Sequence, residues 1–293
     1  MTVYRTFLFA PGNHARRVEK ALSLDADAVI LDLEDAVAIA EKPGTRKLTV
    51  AALQRPRTGL GYIRVNAIST EFCHGDIQAV VARGVDGIIL PKVEAAHELK
   101  TIDWLITELE RERGLPKGGI DLIPIIETGR GMQAAFEIAS AGTRTRRMAF
   151  GAGDFTLDMN IEWSRDEMEL LPFRATVAQA SRAAGIEPPI DTVWIDLKDT
   201  EGLQASAVRC RQLGYQGKMC IYPDQVPVVN TTFTPSAADA AQARKMVQAF
   251  AEAEKAGSAS IQVDGKFIDD PIVYRAQRIL AAVAKIEAKA ALG

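Results

Sequence analysis

The segment Ile123–Gly131, which reads IPIIETGRG, sets the pattern that the rest of the chain follows. Its apolar half predicts a short buried strand that ends on the carboxylate of Glu127. A turn with two glycines follows, and we expect it to lead into a helix that starts near Met132. The segment Met148–Asp154, which reads MAFGAGD, repeats the arrangement, because an apolar strand again runs into glycines and an acid.

Two carboxylates that follow neighbouring parallel strands are expected to face the same edge of one sheet. Oxygen ligands in that arrangement suit a hard cation such as Mg²⁺, which keeps open positions for substrate. The pattern therefore predicts a metal site formed by Glu127 and Asp154, at which the adjacent glycines leave room for a ligand.

Strand-like and helix-like segments alternate along the chain from Thr6 to Tyr222. Eight repeats in about 225 residues match the size and rhythm of a TIM (β/α)₈ barrel. A doubly wound open sheet is the alternative, and it is disfavoured because no Gly-x-Gly-x-x-Gly follows the first strand. We predict an α/β fold with a catalytic barrel over residues 1–233 and a C-terminal helical extension and lid over 234–293.

Four local expectations concern elements near the predicted strand ends. Asn13 is expected to cap the first helix, and Thr192–Asp196 is expected to form the seventh strand. A helix is expected from about residue 164 to Ala184, with a break or kink at Pro172. Asp196 is expected to cap the helix that follows the seventh strand.

The composition excludes several classes of protein. The 293 residues are 47% hydrophobic and 25% charged, with a formal net charge of -3, and no basic run interleaved with aromatics indicates nucleic-acid binding. No apolar run approaches the roughly 20 residues needed to span a bilayer, and no secretory signal pattern opens the chain. The three widely spaced cysteines indicate reduced thiols and a cytoplasmic protein.

Polar side chains follow most of the predicted strands, at the barrel edge where chemistry is expected. Arg64 has a fixed positive charge and a forked donor geometry, so it is expected to stabilise an oxyanion during C–C bond cleavage or formation. Glu34 and Asp35 either cap the following helix or belong to the site, and the pattern leaves both interpretations open. The whole set is Asn13, Glu34, Asp35, Arg64, Asn66, Lys92, Glu127, Asp154, Asp196 and Tyr222.

Over nearly its whole length the chain resembles the citrate lyase β-subunit-like members of the HpcH/HpaI aldolase family. The resemblance depends on a series of ordered motifs. These are RTFLFAPGN (5–13), EKA (19–21), DAVILDLEDAV (27–37), IRVN (63–66), ILPKVE (89–94), IET (126–128), FGAGD (150–154), GKMCI (217–221) and VDGKFID (263–269).

The resemblance implies a (β/α)₈ barrel that assembles as a homotrimer or hexamer. It also implies cleavage or formation of a C–C bond between an acetyl thioester and a small 2-oxo acid. Glu127 and Asp154 would bind Mg²⁺, or Mn²⁺ in its place, with Glu34 and Asp35 behind them. Arg64 would contact the oxo acid and the enolate.

Further roles are implied outside the metal site. Asp269, on the C-terminal arm of a neighbouring subunit, would transfer a proton at the thioester methyl group. Two departures from the family pattern, Tyr222 where many relatives have His and Phe267 where many have Met, put the acyl carrier and the acid preference in question. The residues expected to contact coenzyme A are Arg5, Asn13, Lys20 and Pro223.

These expectations combine into a Mg²⁺-dependent lyase that cleaves a 3-hydroxyacyl-CoA, such as malyl-CoA or citramalyl-CoA, to acetyl-CoA and a 2-oxo acid. One alternative is a citrate lyase β chain that acts on citryl bound to an acyl carrier protein, and another is a malyl-CoA thioesterase. A non-catalytic binding barrel is disfavoured because Glu127, Asp154 and Arg64 are all present.

Overall fold

The structure, a computed structural model, describes residues 4–255 and 257–291. The chain divides into two compact units, one from Tyr4 to Thr231 and one that begins at Thr232. The first unit contains a closed barrel of eight parallel strands in sequential order, which confirms the TIM-barrel prediction over the open sheet. The strands are β1 (Thr6–Pro11), β2 (Ala28–Asp32), β3 (Leu60–Arg64), β4 (Gly87–Leu90), β5 (Asp121–Ile126), β6 (Ala149–Phe150), β7 (Ile190–Asp191) and β8 (Gly217–Cys220).

Helices alternate with these strands and continue beyond them. Short 3₁₀ turns at Ile39–Glu41 and Met168–Leu170 precede two of the helices. The predicted division after residue 233, and the lid role of the last part, stay predictions. The helices are α1 (Ala15–Leu22), α2 (Lys42–Leu53), α3 (Cys73–Val80), α4 (Ala96–Glu112), α5 (Gly129–Gln133), α6 (Ala135–Ala139), α7 (Ala152–Asp158), α8 (Leu171–Ala183), α9 (Thr200–Gln212), α10 (Gln225–Phe233), α11 (Ala237–Lys255) and α12 (Asp270–Ala290).

The barrel interior is apolar because alternate residues of each strand point inward. Phe7, Ile30, Tyr62, Ile123 and Met219 belong to this buried cluster. The cluster fills the barrel below the ends of the strands, so polar groups at those ends stand on a rigid base.

A buried ion network lies beside β7 and β8. Asp191 accepts from Arg174 Nε at 2.8 Å and from Lys218 Nζ at 2.5 Å, while Arg174 Nη1 pairs with Glu167 at 2.9 Å. All four side chains are fully buried. Such a network is tolerated only because each charge is paired, and loss of one partner would leave a buried charge alone.

This network explains why the predicted seventh strand is wrong. The strand is Ile190–Asp191 rather than Thr192–Asp196, because the carboxylate within it is neutralised by partners that are distant in sequence. The expected capping role of Asp196 is wrong as well. Its side chain accepts from Lys198 N in a turn, and α9 is capped instead by Asp199, which accepts from Gly202 N at 2.9 Å.

Three helix starts also differ from expectation. His14 rather than Asn13 precedes α1, and the Asn13 amide donates to Glu41 at 2.7 Å. Helix α8 begins at Leu171 rather than near residue 164, and Pro172 lies in its first turn, where a proline lacks only an N–H that would have no helical partner. Helix α5 begins at Gly129, not near Met132, and Thr128 caps it by accepting from Gly131 N.

The second unit is built from α11, a hairpin and α12. Strands β9 (Ile261–Val263) and β10 (Lys266–Ile268) pair antiparallel through an Asp264–Gly265 turn in which both residues have positive φ, as a two-residue hairpin requires. Phe250, Ile268 and two valines form its small buried core. Within the described residues, no helix is both long and apolar enough to cross a membrane.

Candidate active site

Charged side chains converge at the carboxyl ends of five consecutive strands. Asp32 and Arg64 are the last residues of β2 and β3, while Lys92 and Glu127 follow β4 and β5. Asp154 lies in the first turn of α7, directly after β6. Because parallel strands of a barrel end on the same rim, these residues come together there, and Asp32, Arg64, Glu127 and Asp154 line one cavity of about 870 Å³.

Asp32 fixes the orientation of Arg64. The two residues are paired across β2 and β3, and the Asp32 oxygens accept from Arg64 Nε at 2.6 Å and Nη2 at 2.7 Å. Burial acts to raise the pKa of Asp32, but the Arg64 guanidinium outweighs it and lowers the pKa below its ordinary value. Asp32 is therefore an anion, and its partner is held as a cation over the Phe9 ring at 4.9 Å.

Glu34 and Asp35 belong to the charged cluster rather than to a helix cap. Their oxygens lie 3.0 and 3.2 Å from Arg64 Nη1, and the residue at the N-cap of α2 is Glu41. Burial raises the pKa of Glu34 despite the opposing charges of Arg64 and Lys92. Glu34 Oε2 is buried without a hydrogen bond of good geometry, so this carboxylate is incompletely satisfied.

Lys92 connects Glu34 with the two carboxylates that follow β5 and β6. Its Nζ lies 2.6 Å from Glu34 Oε1 and 2.9 Å from Asp154 Oδ2, and its backbone N–H donates to Glu127 Oε1 at 2.8 Å. It also has a φ of +53°, in the left-handed region that non-glycine residues rarely adopt.

Glu127 is buried in the cluster, with only 4% of its surface exposed. Burial, and then the charge of Glu34, raises the pKa of Glu127 to about 8. Gly151 makes room for the Glu127 side chain, because a Cβ at this position would lie 2.4 Å from Glu127 Oε2. Gly131 has a different role from the one expected. It lets α5 approach the Val93 carbonyl oxygen, which a Cβ would meet at 2.4 Å.

The residues expected to contact coenzyme A separate into two groups. Lys20 and Pro223 line the cavity, as does the half-exposed Tyr222, whereas Arg5 and Asn13 are not among its described lining residues. Arg5 precedes β1 and so lies at the opposite end of the barrel, where its guanidinium pairs with Asp27 at 2.9 Å. Arg5 therefore does not lie with Lys20 and Pro223, and its expected contact with coenzyme A stays a prediction.

Asp269 lies in the second unit as the N-cap of α12, where its side chain accepts from Ile272 N at 3.4 Å. Its expected role in proton transfer stays a prediction.

Sequence reasoning missed several residues of the cavity. Asp32 was visible only as the end of an apolar run. Arg16 and Arg17 project from α1 into the cavity lining beside Lys20, and the signal for them was their spacing on one turn of a helix.

The model of the HpcH/HpaI aldolase/citrate lyase family matches residues 5–223. The chain belongs to that family. It is accordingly a lyase, as the sequence predicts.

Two curated relatives align over nearly the whole chain. A citrate lyase subunit beta from Leuconostoc mesenteroides subsp. cremoris is 39% identical, with 94% of this chain and 92% of the relative covered. A (3S)-malyl-CoA thioesterase from Cereibacter sphaeroides is 34% identical, with 97% and 96% covered.

A solved structure shows a similar barrel. The CitE protein of Mycobacterium tuberculosis, in complex with magnesium, acetoacetate and coenzyme A, is 30% identical and has a TM-score of 0.79. The match covers 96% of this chain and 98% of the M. tuberculosis chain.

Proposed function

We propose that the protein is a Mg²⁺-dependent lyase that cleaves a 3-hydroxyacyl-CoA, such as malyl-CoA or citramalyl-CoA, to acetyl-CoA and a small 2-oxo acid. The observation that carries this proposal is the convergence of Glu127, Asp154 and Arg64 on one cavity. The M. tuberculosis relative, with its magnesium, acetoacetate and coenzyme A, supports it.

The charges of the cluster suit a divalent cation. Five carboxylates, those of Asp32, Glu34, Asp35, Glu127 and Asp154, are accompanied by the two cations Arg64 and Lys92, which leaves three negative charges when all are ionised. Burial is the main cause of the raised pKa of Glu127, and the charges of Glu34 and Asp154 add to it.

The ligand set is small. Within residues 4–255 and 257–291, no three His, Cys, Asp or Glu side chains form a metal cluster by themselves. Mg²⁺ is commonly bound by one or two carboxylates with water and substrate oxygens in the other positions, so Glu127 and Asp154 fit this ion. When bound, Mg²⁺ supplies Lewis-acid polarisation of the substrate oxygens.

Arg64 contributes a positive charge that is oriented before substrate arrives. Asp32 holds its Nε and Nη2 edge, so the guanidinium does not need to reorganise during the reaction. Preorganised charge of this kind stabilises an oxyanion far better than mobile water does. Arg64 lines the cavity and would orient the carboxylate or carbonyl oxygen of the oxo acid.

Asp35 is the carboxylate best placed to receive the hydroxyl proton. Its side chain is 59% exposed and lines the cavity, whereas Glu34 is 8% exposed and engaged with Lys92 and Arg64. As the proton leaves, the oxygen electron pair forms the C=O bond and the C–C bond breaks. Its electron pair passes into the thioester enolate.

The enolate carbon then takes a proton. We propose that Asp269 of a neighbouring copy donates it within a homotrimer or hexamer, as the family resemblance implies. One wall of the cavity is suited to coenzyme A. It carries the positive charges of Arg16, Arg17 and Lys20, which fit the phosphates of coenzyme A, and Pro223 also lines the cavity.

Two other activities use the same bound acyl group. The similarity to a (3S)-malyl-CoA thioesterase favours hydrolysis of the thioester by water. The similarity to citrate lyase subunit beta favours citryl bound to an acyl carrier protein as the substrate.

We also propose a cytoplasmic location, because Cys73, Cys210 and Cys220 are all free and buried.

A substrate panel tests the proposal. The purified protein is given malyl-CoA, citramalyl-CoA or citryl-CoA with Mg²⁺ or EDTA, and the products are measured by mass spectrometry. A lyase yields acetyl-CoA and an oxo acid, and EDTA abolishes the reaction. Free CoA with an intact hydroxy acid identifies the thioesterase. Turnover only of citryl on an added acyl carrier protein identifies the citrate lyase β chain, and absence of any turnover refutes the proposal.

A further inference from the structure

Lys92 contacts three carboxylates of the cluster, two through its side chain and one through its backbone N–H. Its ammonium lies 2.6 Å from Glu34 Oε1 and 2.9 Å from Asp154 Oδ2, while its backbone N–H donates to Glu127 Oε1. Lys92 therefore contacts both carboxylates that we propose bind the metal, and Glu34 as well.

The backbone around Lys92 is fixed in place. Its φ of +53° is unfavourable for a residue with a Cβ, and such a conformation persists only where the surroundings determine it. Two hydrogen bonds to the end of β5 do so here. Lys92 N donates to Glu127 Oε1, and Val93 N donates to the Ile125 carbonyl oxygen at 3.3 Å. The side chain is thereby directed into the carboxylate cluster.

We propose that Lys92 is a positioning residue whose ammonium competes with the metal ion for Asp154. This inference rests on the proposed Mg²⁺ site. A divalent ion held by the Asp154 carboxylate would repel the ammonium, which lies 2.9 Å from Oδ2, so the ammonium would have to withdraw from Asp154. Asp35 Oδ1, 3.9 Å from Nζ, and Glu34 offer it a position on the other side of the cluster.

Two properties follow from this competition. Without metal, Lys92 reduces repulsion between Glu34 and Asp154, and so stabilises the folded protein. With metal, the displacement of the ammonium weakens Mg²⁺ binding. If Lys92 had a purely structural role, its removal would disorder the metal ligands and lower the Mg²⁺ affinity instead of raising it.

The test compares Mg²⁺ affinity by titration calorimetry in the wild-type protein and in Lys92→Met, Lys92→Arg and Lys100→Met. Lys100 is an exposed residue of α4 and serves as the matched control for loss of a lysine charge. We expect Lys92→Met to bind Mg²⁺ on the order of 10-fold more tightly, with the other two variants close to wild type. Its melting temperature in EDTA should fall below that of the wild type and recover with Mg²⁺.

Equal or weaker Mg²⁺ binding by Lys92→Met, with normal binding by the wild type, overturns the role of Lys92 alone. Absence of Mg²⁺ binding by the wild type overturns the metal site and, with it, this inference. If the methionine variant does not fold, Lys92→Gln gives the same comparison, since it keeps a donor to Glu34 without the charge.

Discussion

Replacement of Glu127 by Gln should alter how stability depends on pH. The pKa of this carboxyl is raised from 4.5 to about 8 by burial, and by Glu34 and Asp154 against the opposing charges of Arg64 and Lys92. The folded protein thus binds the proton more tightly than the unfolded chain does. As the pH rises from 4.5 towards 8, the unfolded chain is deprotonated first, and the free energy of unfolding decreases.

The size of the effect follows from the shift. Each pH unit in this window lowers the free energy of unfolding by about 1.4 kcal/mol, so the change between pH 5.5 and 7.5 is about 3 kcal/mol. Gln has nearly the same shape and does not titrate. The advantage of Glu127→Gln over the wild type should therefore grow with pH and become constant above pH 8.

Urea unfolding of both proteins in EDTA, at half-unit steps from pH 5 to 9, measures this difference. Mg²⁺ provides an internal control, because it should stabilise the wild type at pH 8 and leave Glu127→Gln unchanged. A difference between the two proteins that stays constant across the pH range would refute the reasoning.

Three other substitutions probe the site. Asp32→Asn removes the charge that holds Arg64. It should lower the free energy of unfolding by about 3 kcal/mol in urea titrations and reduce kcat/KM on the order of 10²-fold. Unchanged kinetics would show that Arg64 needs no such support. Gly151→Ala places a Cβ 2.4 Å from Glu127 Oε2, so calorimetry should show weaker Mg²⁺ binding. The matched control Gly153→Ala, whose Cβ would meet only Trp163 at 4.0 Å, should bind as the wild type does. Asp269→Asn preserves a capping side chain, so the melting temperature should be retained, while turnover falls on the order of 10²-fold or more if the carboxyl transfers a proton; full activity would contradict that role.

The end of β5 was among the most predictable parts of the structure. The apolar run is followed at once by Glu127, Thr128 and a glycine, and strand β5 ends one residue before the Glu127 carboxylate. Local composition was sufficient there because the strand is buried and the turn chemistry is explicit. The TIM barrel followed from repetition of the same unit.

Pairing between distant residues was not predictable. Strand β7 was misplaced because Asp191 looks like a strand breaker until Arg174 and Lys218 neutralise it. Asp32 was overlooked because its bond to Arg64 depends on the register of β2 against β3, which one sequence does not reveal. The contact of Arg5 with coenzyme A was implied by the resemblance alone, although Arg5 precedes β1 and so lies at the other end of the barrel.

Titration calorimetry of Mg²⁺ against the wild type, Glu127→Gln and Asp154→Asn tests most directly whether the ends of β5 and β6 form the metal site. We predict one Mg²⁺ per chain in the wild type, and a loss of affinity on the order of 10²-fold or more in each variant. Wild-type affinity in both variants would contradict the assignment of these two carboxylates.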